Sequence, residues 1–268
     1  MTTVRPAAVA GMFYPSDPAE LQTMLAEYLG DMHGHASPHD TGVPKAIVVP
    51  HAGYIYSGPV AASAYGLLNP ARDIINRVVL LGPSHRVPLH GLAASHATHF
   101  TTPLGDIALD PDAMEQLLSL PQVKTLDSAH AQEHSLEVHL PFLQMLLSDF
   151  KLIPLVVGDA SPEEVAEVLD RVWGDKHTLI VISSDLSHYH DYNSAKQLDN
   201  QTCQAIEQMT PERIGYEQAC GRNPLNGLLT IAKRRGLTVT TLDLRNSGDT
   251  AGPRDQVVGY GAWAFTEH

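Results

Sequence analysis

The sequence predicts an α/β fold: one domain, a mostly parallel central sheet, and helices on both of its faces. Three observations lead there. Short, almost purely apolar runs recur at 45–50, 77–82, 151–157 and 178–183, and strands this apolar read as buried on both sides. Between them, apolar residues recur at helical spacing. The 268 residues are 43% hydrophobic and 18% charged, with no internal repeat, charge block or long linker. That composition excludes disorder and collagen-like repeats and suffices for one large core over residues 1–268.

The elements follow in chain order. Ser16 or Asp17 caps a first helix, with Pro18 in its first turn and Glu20 near the positive end of its dipole. Leu21, Met24, Leu25, Tyr28 and Leu29 form its apolar stripe. Residues 31–44, with His33, His35 and His39, read as a polar Gly/Pro/His loop. The four apolar runs are the core strands, and 238–243 and 257–265 read as two more. Helical patterns fill 58–68, 111–119, 134–148, 161–173, 194–208, 211–219 and 223–235.

Acids outnumber bases 30 to 17, for a formal charge of −13, which argues against a nucleic-acid partner. No apolar stretch has the length of a membrane span or of a signal-peptide core. Cys203 and Cys220 form no CxxC pair, so neither a disulfide framework nor a thiolate zinc site is expected. A cytoplasmic protein with reduced thiols is the expectation.

Fifteen histidines nearly equal all Lys and Arg together. Three share a place. His51 directly follows the strand at 45–50, Ser84-His85 follows 77–82, and His188 lies just beyond 178–183. In open α/β sheets, ligands bind beyond the carboxyl ends of the strands, so the sheet brings these three towards one site. In His51-Ala-Gly-Tyr-Ile-Tyr-Ser-Gly58, Tyr54 can wall a pocket. Pro83-Ser84 is a rigid turn that exposes a side chain, and Asp185 can hold a histidine in one tautomer.

Competing motifs are weaker. His130-Ala-Gln-Glu133-His134 matches HxxEH, but it reads better as the start of the 134–148 helix. There His134 and Glu137, at i and i+3, share a face and can line a pocket. Gly82-Pro-Ser84-His-Arg86 lacks the last glycine of a nucleophile elbow, which weakens a Ser84–His188–Asp185 hydrolase. No P-loop pattern exists. His90, His96, His99, His177, His190 and His268 lie in loops or at an end.

At the segments Arg5-Pro-Ala-Ala-Val-Ala-Gly-Met-Phe-Tyr14, Pro50-His-Ala-Gly-Tyr-Ile-Tyr-Ser-Gly58, Leu81-Gly-Pro-Ser-His85, Thr102-Pro-Leu-Gly105, Glu133-His-Ser-Leu-Glu-Val-His-Leu-Pro141, Ser183-Ser-Asp-Leu-Ser-His188, Asn246-Ser-Gly-Asp-Thr250 and Val258-Gly-Tyr260, the chain resembles the Memo family, called protein B of the AmmeMemoRadiSam system in prokaryotes. The resemblance runs from end to end. It implies the fold of class III extradiol dioxygenases, which are non-haem iron enzymes. It maps metal ligands to His51 and His85 and the pocket histidine to His188, which would act as an acid–base. The residues themselves add Asp185 as a catalytic candidate and Tyr54, Ser84, His134 and Glu137 as substrate-binding candidates. For the third ligand the dioxygenases use a glutamate and eukaryotic members a cysteine. Counting back from Tyr260 lands here on Thr250, and a shift of one on Asp249. Asp249 would complete a 2-His-1-carboxylate triad suited to Fe(II), with copper or zinc as alternatives. The implied partners are a small-molecule substrate, or a phosphopeptide in a signalling role, or a radical-SAM protein and an AMMECR-type protein in a modification system.

Overall fold

The computed structural model describes residues 2–30 and 42–267. The polar loop with His33, His35 and His39, apart from its last residues, lies outside them, as does His268. Strands β2 (Ala46–Val49), β9 (Thr178–Ser183), β3 (Arg77–Pro83) and β8 (Lys151–Val157) lie side by side in that order, all parallel. They are the four apolar runs of the sequence. The C-terminal strands β11 (Thr238–Asn246) and β12 (Val257–Thr266) form an antiparallel pair, and β12 runs antiparallel to β2. Beyond β8 come β4 (Leu92–Ala94) and β7 (Val123–Thr125), while β10 (His188–His190) pairs with β12. The sheet is therefore mixed, with a parallel heart. Pro154 fits in β8 because β4 pairs only with Val156 and Val157, so its missing N–H costs no ladder bond on that side.

The period-2 alternation of each central strand divides the core. Ile47, Val49, Val78, Leu80, Leu179 and Val181 face one side, with α2 (Tyr54–Tyr65) and α5 (Leu140–Leu146). Ala46, Val48, Val79, Leu81, Ile180 and Ile182 face the other, with α6 (Pro162–Arg171) and α8 (Arg222–Arg235). Burial on both faces explains why the runs carry no polar alternation. Asp17 caps α1 (Pro18–Gly30) by accepting from the Ala19 and Glu20 amides.

Two predicted helices shrink. In place of 134–148 the chain makes α4 (Asp127–Ala131), an irregular turn, a 3-10 turn at Glu137–His139, and then α5. In place of 211–219 only a 3-10 turn at Pro211–Arg213 forms. A small second sheet, β1 (Val4–Arg5), β5 (His99–Thr102) and β6 (Gly105–Ala108), holds the N-terminus. These strands are too short to show a period in the sequence.

The N-terminal arm is locked by one buried carboxylate. Glu137 is 1% exposed. It pairs with the Arg5 guanidinium and accepts from the Ala8 amide (2.7 Å), the Val9 amide (2.9 Å) and the Tyr14 hydroxyl (2.6 Å). Arg5 spends its other donors on the carbonyls of His130 and Glu133. Removing one member of such a buried pair strands the other. Glu137→Gln should therefore lower the unfolding free energy by about 3–5 kcal/mol, measured by chemical denaturation.

Candidate metal centre

Because β2, β9 and β3 are adjacent and parallel, their carboxyl ends reach one edge together. His51 leaves β2, Ser183 ends β9, and His85 follows β3. Against that edge lies the turn at 132–136. Gly82 permits the approach: a Cβ there would meet the Ser135 hydroxyl at 2.8 Å. The Ser135 hydroxyl donates to the Pro83 carbonyl (2.8 Å), and the Ser183 hydroxyl donates to the Ser135 carbonyl (2.6 Å). The turn is thus clamped to two strand ends, and it delivers His134.

His51, His85 and His134 each offer a ring nitrogen, all within 4.8 Å of one another. The His85 and His134 rings stack at 4.6 Å, with the His51 ring edge-on to both. Hydrogen bonds orient two of them. The Ser183 hydroxyl already donates to Ser135, so at 2.6 Å from His51 Nδ1 it must accept. Nδ1 of His51 therefore carries the proton, and Nε2 keeps its lone pair. His85 Nδ1 donates to Glu133 Oε1 at 2.8 Å, which frees its Nε2 in the same way. The buried Nδ1 of His134 makes no hydrogen bond among the described residues, but it lies 3.4 Å from Glu133 Oε1.

Glu133 organises this group. It is 1% exposed, and it also accepts from the backbone amides of His85, His134 and Ser135. Burial alone would raise its pKa, but the His85 ring and these amides outweigh it and hold the carboxyl at about 2. Burial, reinforced by neighbouring histidines, pushes His51 well below its ordinary range, and burial with His85 pushes His134 to about 4. Both imidazoles are neutral at pH 7, the form that binds a metal.

The remaining predicted residues fall in different places. His188 lies at the rim, half-buried, with Nδ1 donating to the Leu186 carbonyl at 2.8 Å. The next residue, Tyr189, is held at φ 61°, a conformation that costs a non-glycine residue energy. Asp185 takes the His51 backbone amide at 2.7 Å, not a ring proton, so the tautomer role expected of it belongs to Ser183 and Glu133. Burial raises Asp185 to about 6 despite that bond. The Ser84 hydroxyl donates to the Val87 carbonyl, and the residue lines a neighbouring cavity.

Three expectations need correction. Asp249 is outside the cluster: it accepts from the Tyr192 hydroxyl (2.6 Å) and the Asn246 amide, closing its own 3-10 turn at Ser247–Asp249. Thr250, the other candidate, bonds back to the Ser247 carbonyl. Tyr54 is buried and donates to the Val138 carbonyl (2.6 Å), so it supports the turn and does not wall a pocket. Glu137 is committed to the N-terminal arm, and the irregular turn removes the shared helical face expected of it and His134. Sequence reasoning missed Glu133 and Ser183, and it missed Cys220, whose Sγ lies 3.4 Å from His51 Nε2. The signal for Glu133 was the Glu133-His134 pair, set aside with the HxxEH match; His130, its first member, is buried against the Ala93 carbonyl.

Comparison with known proteins agrees with the full-length resemblance. A family model described as Memo-like protein matches residues 5–264. A MEMO1 family protein from Aquifex aeolicus is 37% identical over 268 residues, covering 96% of this chain and 97% of its own. Another from Saccharolobus islandicus is 36% identical over 280 residues, covering 96% and 98%. The crystal structure of an uncharacterized protein from Escherichia coli K12 superposes with a TM-score of 0.53 at 10% identity, over 80% of this chain and 98% of that one. That likeness concerns the fold alone.

The buried histidines set a pH dependence. His130 and His134 are lowered by burial to about 4 and His139 to about 3, and burial also holds His51 well below its ordinary range. Unfolding lets each take up a proton below its ordinary value of about 6.5. Their contribution to stability is thus full above pH 6.5 and is lost as pH falls towards 4. Asp185, raised to about 6, opposes them between pH 6 and 4, because there the folded state holds the extra proton. The metal-free protein should lose roughly 3–4 kcal/mol per pH unit at the steepest, measured by denaturation from pH 7 to 4.5.

Proposed function

The chain belongs to the Memo-like family, and from that premise we propose that it holds a divalent transition metal on His51, His85 and His134 and directs it to oxygenase-type chemistry on a small substrate. One observation carries the reading: three imidazoles converge, and two of them have the far nitrogen engaged as a donor so that the near one presents a lone pair. His134 has its Nδ1 3.4 Å from Glu133 Oε1, beside the same carboxylate that orients His85. Three imidazole ligands suit iron, copper and zinc alike. Iron is the proposed ion because the Memo resemblance implies the fold of non-haem iron dioxygenases.

When bound, the ion would supply Lewis acidity and, as iron or copper, electron transfer. The chain's own residues do the rest. Glu133 and Ser183 fix the ligand rings, which lowers the cost of ordering them. His188 donates Nδ1–H to Leu186, so a neutral ring presents Nε2 as a base at the rim. Asp185, near half-protonated around pH 6, can hold a proton with Oδ2 3.9 Å from His51 Nε2. His85 is the partly exposed member, with 29% of its side chain accessible, so substrate approaches from its side.

Metal analysis of protein purified without chelator tests the site. Wild type should carry about one equivalent, and His51→Gln, His85→Gln and His134→Gln should each retain at least ~10-fold less. Asp249→Asn should keep the full amount. Equal metal in wild type and a folded His51→Gln would remove the site. Ferrous loading under anaerobic conditions, followed by oxygen and a panel of catechols, tests the chemistry. A ring-cleavage chromophore should appear with wild type and vanish with His188→Gln at unchanged iron content.

A further inference from the structure

Beside the histidine cluster lies a second cavity of about 340 Å³, within the ~300–1,000 Å³ of small-molecule sites. It shares two residues with the wall of the cluster: Ser84, next to His85, and Cys220, whose thiol touches His51. Gly221 lets this segment close on the sheet edge, since a Cβ there would meet the Ser183 carbonyl at 2.4 Å. Much of the lining is apolar, including Val87, Leu89, Val157 and Pro224, and Arg222 opens onto it.

Arg222 is the unusual residue. Like Arg72, Arg86, Arg171, Arg213 and Arg234, it has no carboxylate partner among the described residues. Unlike them, it holds a nitrogen, Nε, shielded from solvent without a hydrogen-bond partner. Its guanidinium lies 3.5 Å from the centre of the Tyr216 ring. Stacking fixes the plane of the fork and leaves its edge free for a planar, bidentate anion. Asp159, the carboxylate on the same wall, turns largely to solvent, where it lies 3.3 Å from His90.

We propose that this cavity binds a small organic acid, its carboxylate on Arg222 and its apolar body against the opposite wall. The binding stands without a metal. Only the inference that the acid is thereby presented to the histidine cluster rests on the metal-centre reading.

The test uses metal-free full-length protein, so that a carboxylate cannot report on an ion. Benzoate, benzamide and inorganic phosphate are titrated calorimetrically against wild type, Arg222→Gln and Arg222→Lys, with thermal unfolding as the folding control. Benzoate should bind wild type at least 10-fold more tightly than benzamide does. Arg222→Gln should erase that preference, and Arg222→Lys, which keeps charge without the fork, should fall between. A folded Arg222→Gln that binds benzoate as wild type does would overturn the proposal. So would equal affinity for benzamide, or phosphate binding more tightly than benzoate, which would make this a site for inorganic anions.

Discussion

The site depends on one buried carboxylate at an irregular turn. Glu133 accepts from the His85 ring and from three backbone amides, those of His85, His134 and Ser135. A carboxylate with four donors and almost no solvent is costly to protonate or displace. Through it, the loop after β3 and the turn before α5 become one unit. The sheet supplies the adjacency of His51 and His85; Glu133 supplies the register that adds His134. Four residues on, Glu137 does for the N-terminal arm what Glu133 does for the rings. Two acids in one short segment therefore fix both the site and the chain that packs behind it.

This arrangement explains which parts of the sequence were readable. The four parallel strands were, because burial on both faces leaves an unbroken apolar run that needs no context. His51 and His85 were, because each follows its strand within two residues and the edge position is inherited from the fold. His134 was not. Its role requires the chain to leave helical geometry at 132–136, and the forces that impose this are long-range: Ser135 bound to Pro83 and Ser183, and Arg5 bound to the carbonyls of His130 and Glu133. A local pattern of Leu, Val and Phe at helical spacing carries no trace of them.

Asp249 shows the converse. Its type and its distance from Tyr260 suited a ligand, yet its carboxylate is satisfied within its own turn and by Tyr192. Spacing along a chain gives the position of a backbone but not the direction of a side chain when a tight 3-10 turn intervenes. The short strands β4, β5, β6 and β7 were equally hidden, since three or four residues cannot display a period of two above noise. The Memo-like resemblance supplied the family and the whole-chain extent, but it could not supply the turn.

Replacing Asp249 with His134 also changes the charge of the centre. A 2-His-1-carboxylate set would place one negative charge in contact with a divalent ion; three imidazoles place none. The acids stand one hydrogen bond away instead, Glu133 behind His85 and Asp185 against the His51 amide. Charge at that distance still favours the ion, because both carboxylates are buried and screening between them and the rings is weak. It donates less electron density than a direct carboxylate ligand would, so an ion held here would keep more of its Lewis acidity. It also makes the two carboxylates structural and electrostatic at once: losing Glu133 would release the rings and remove the nearest compensating charge in a single step. That coupling accounts for why so many donors in this small region converge on an acid that the imidazoles themselves shield from water.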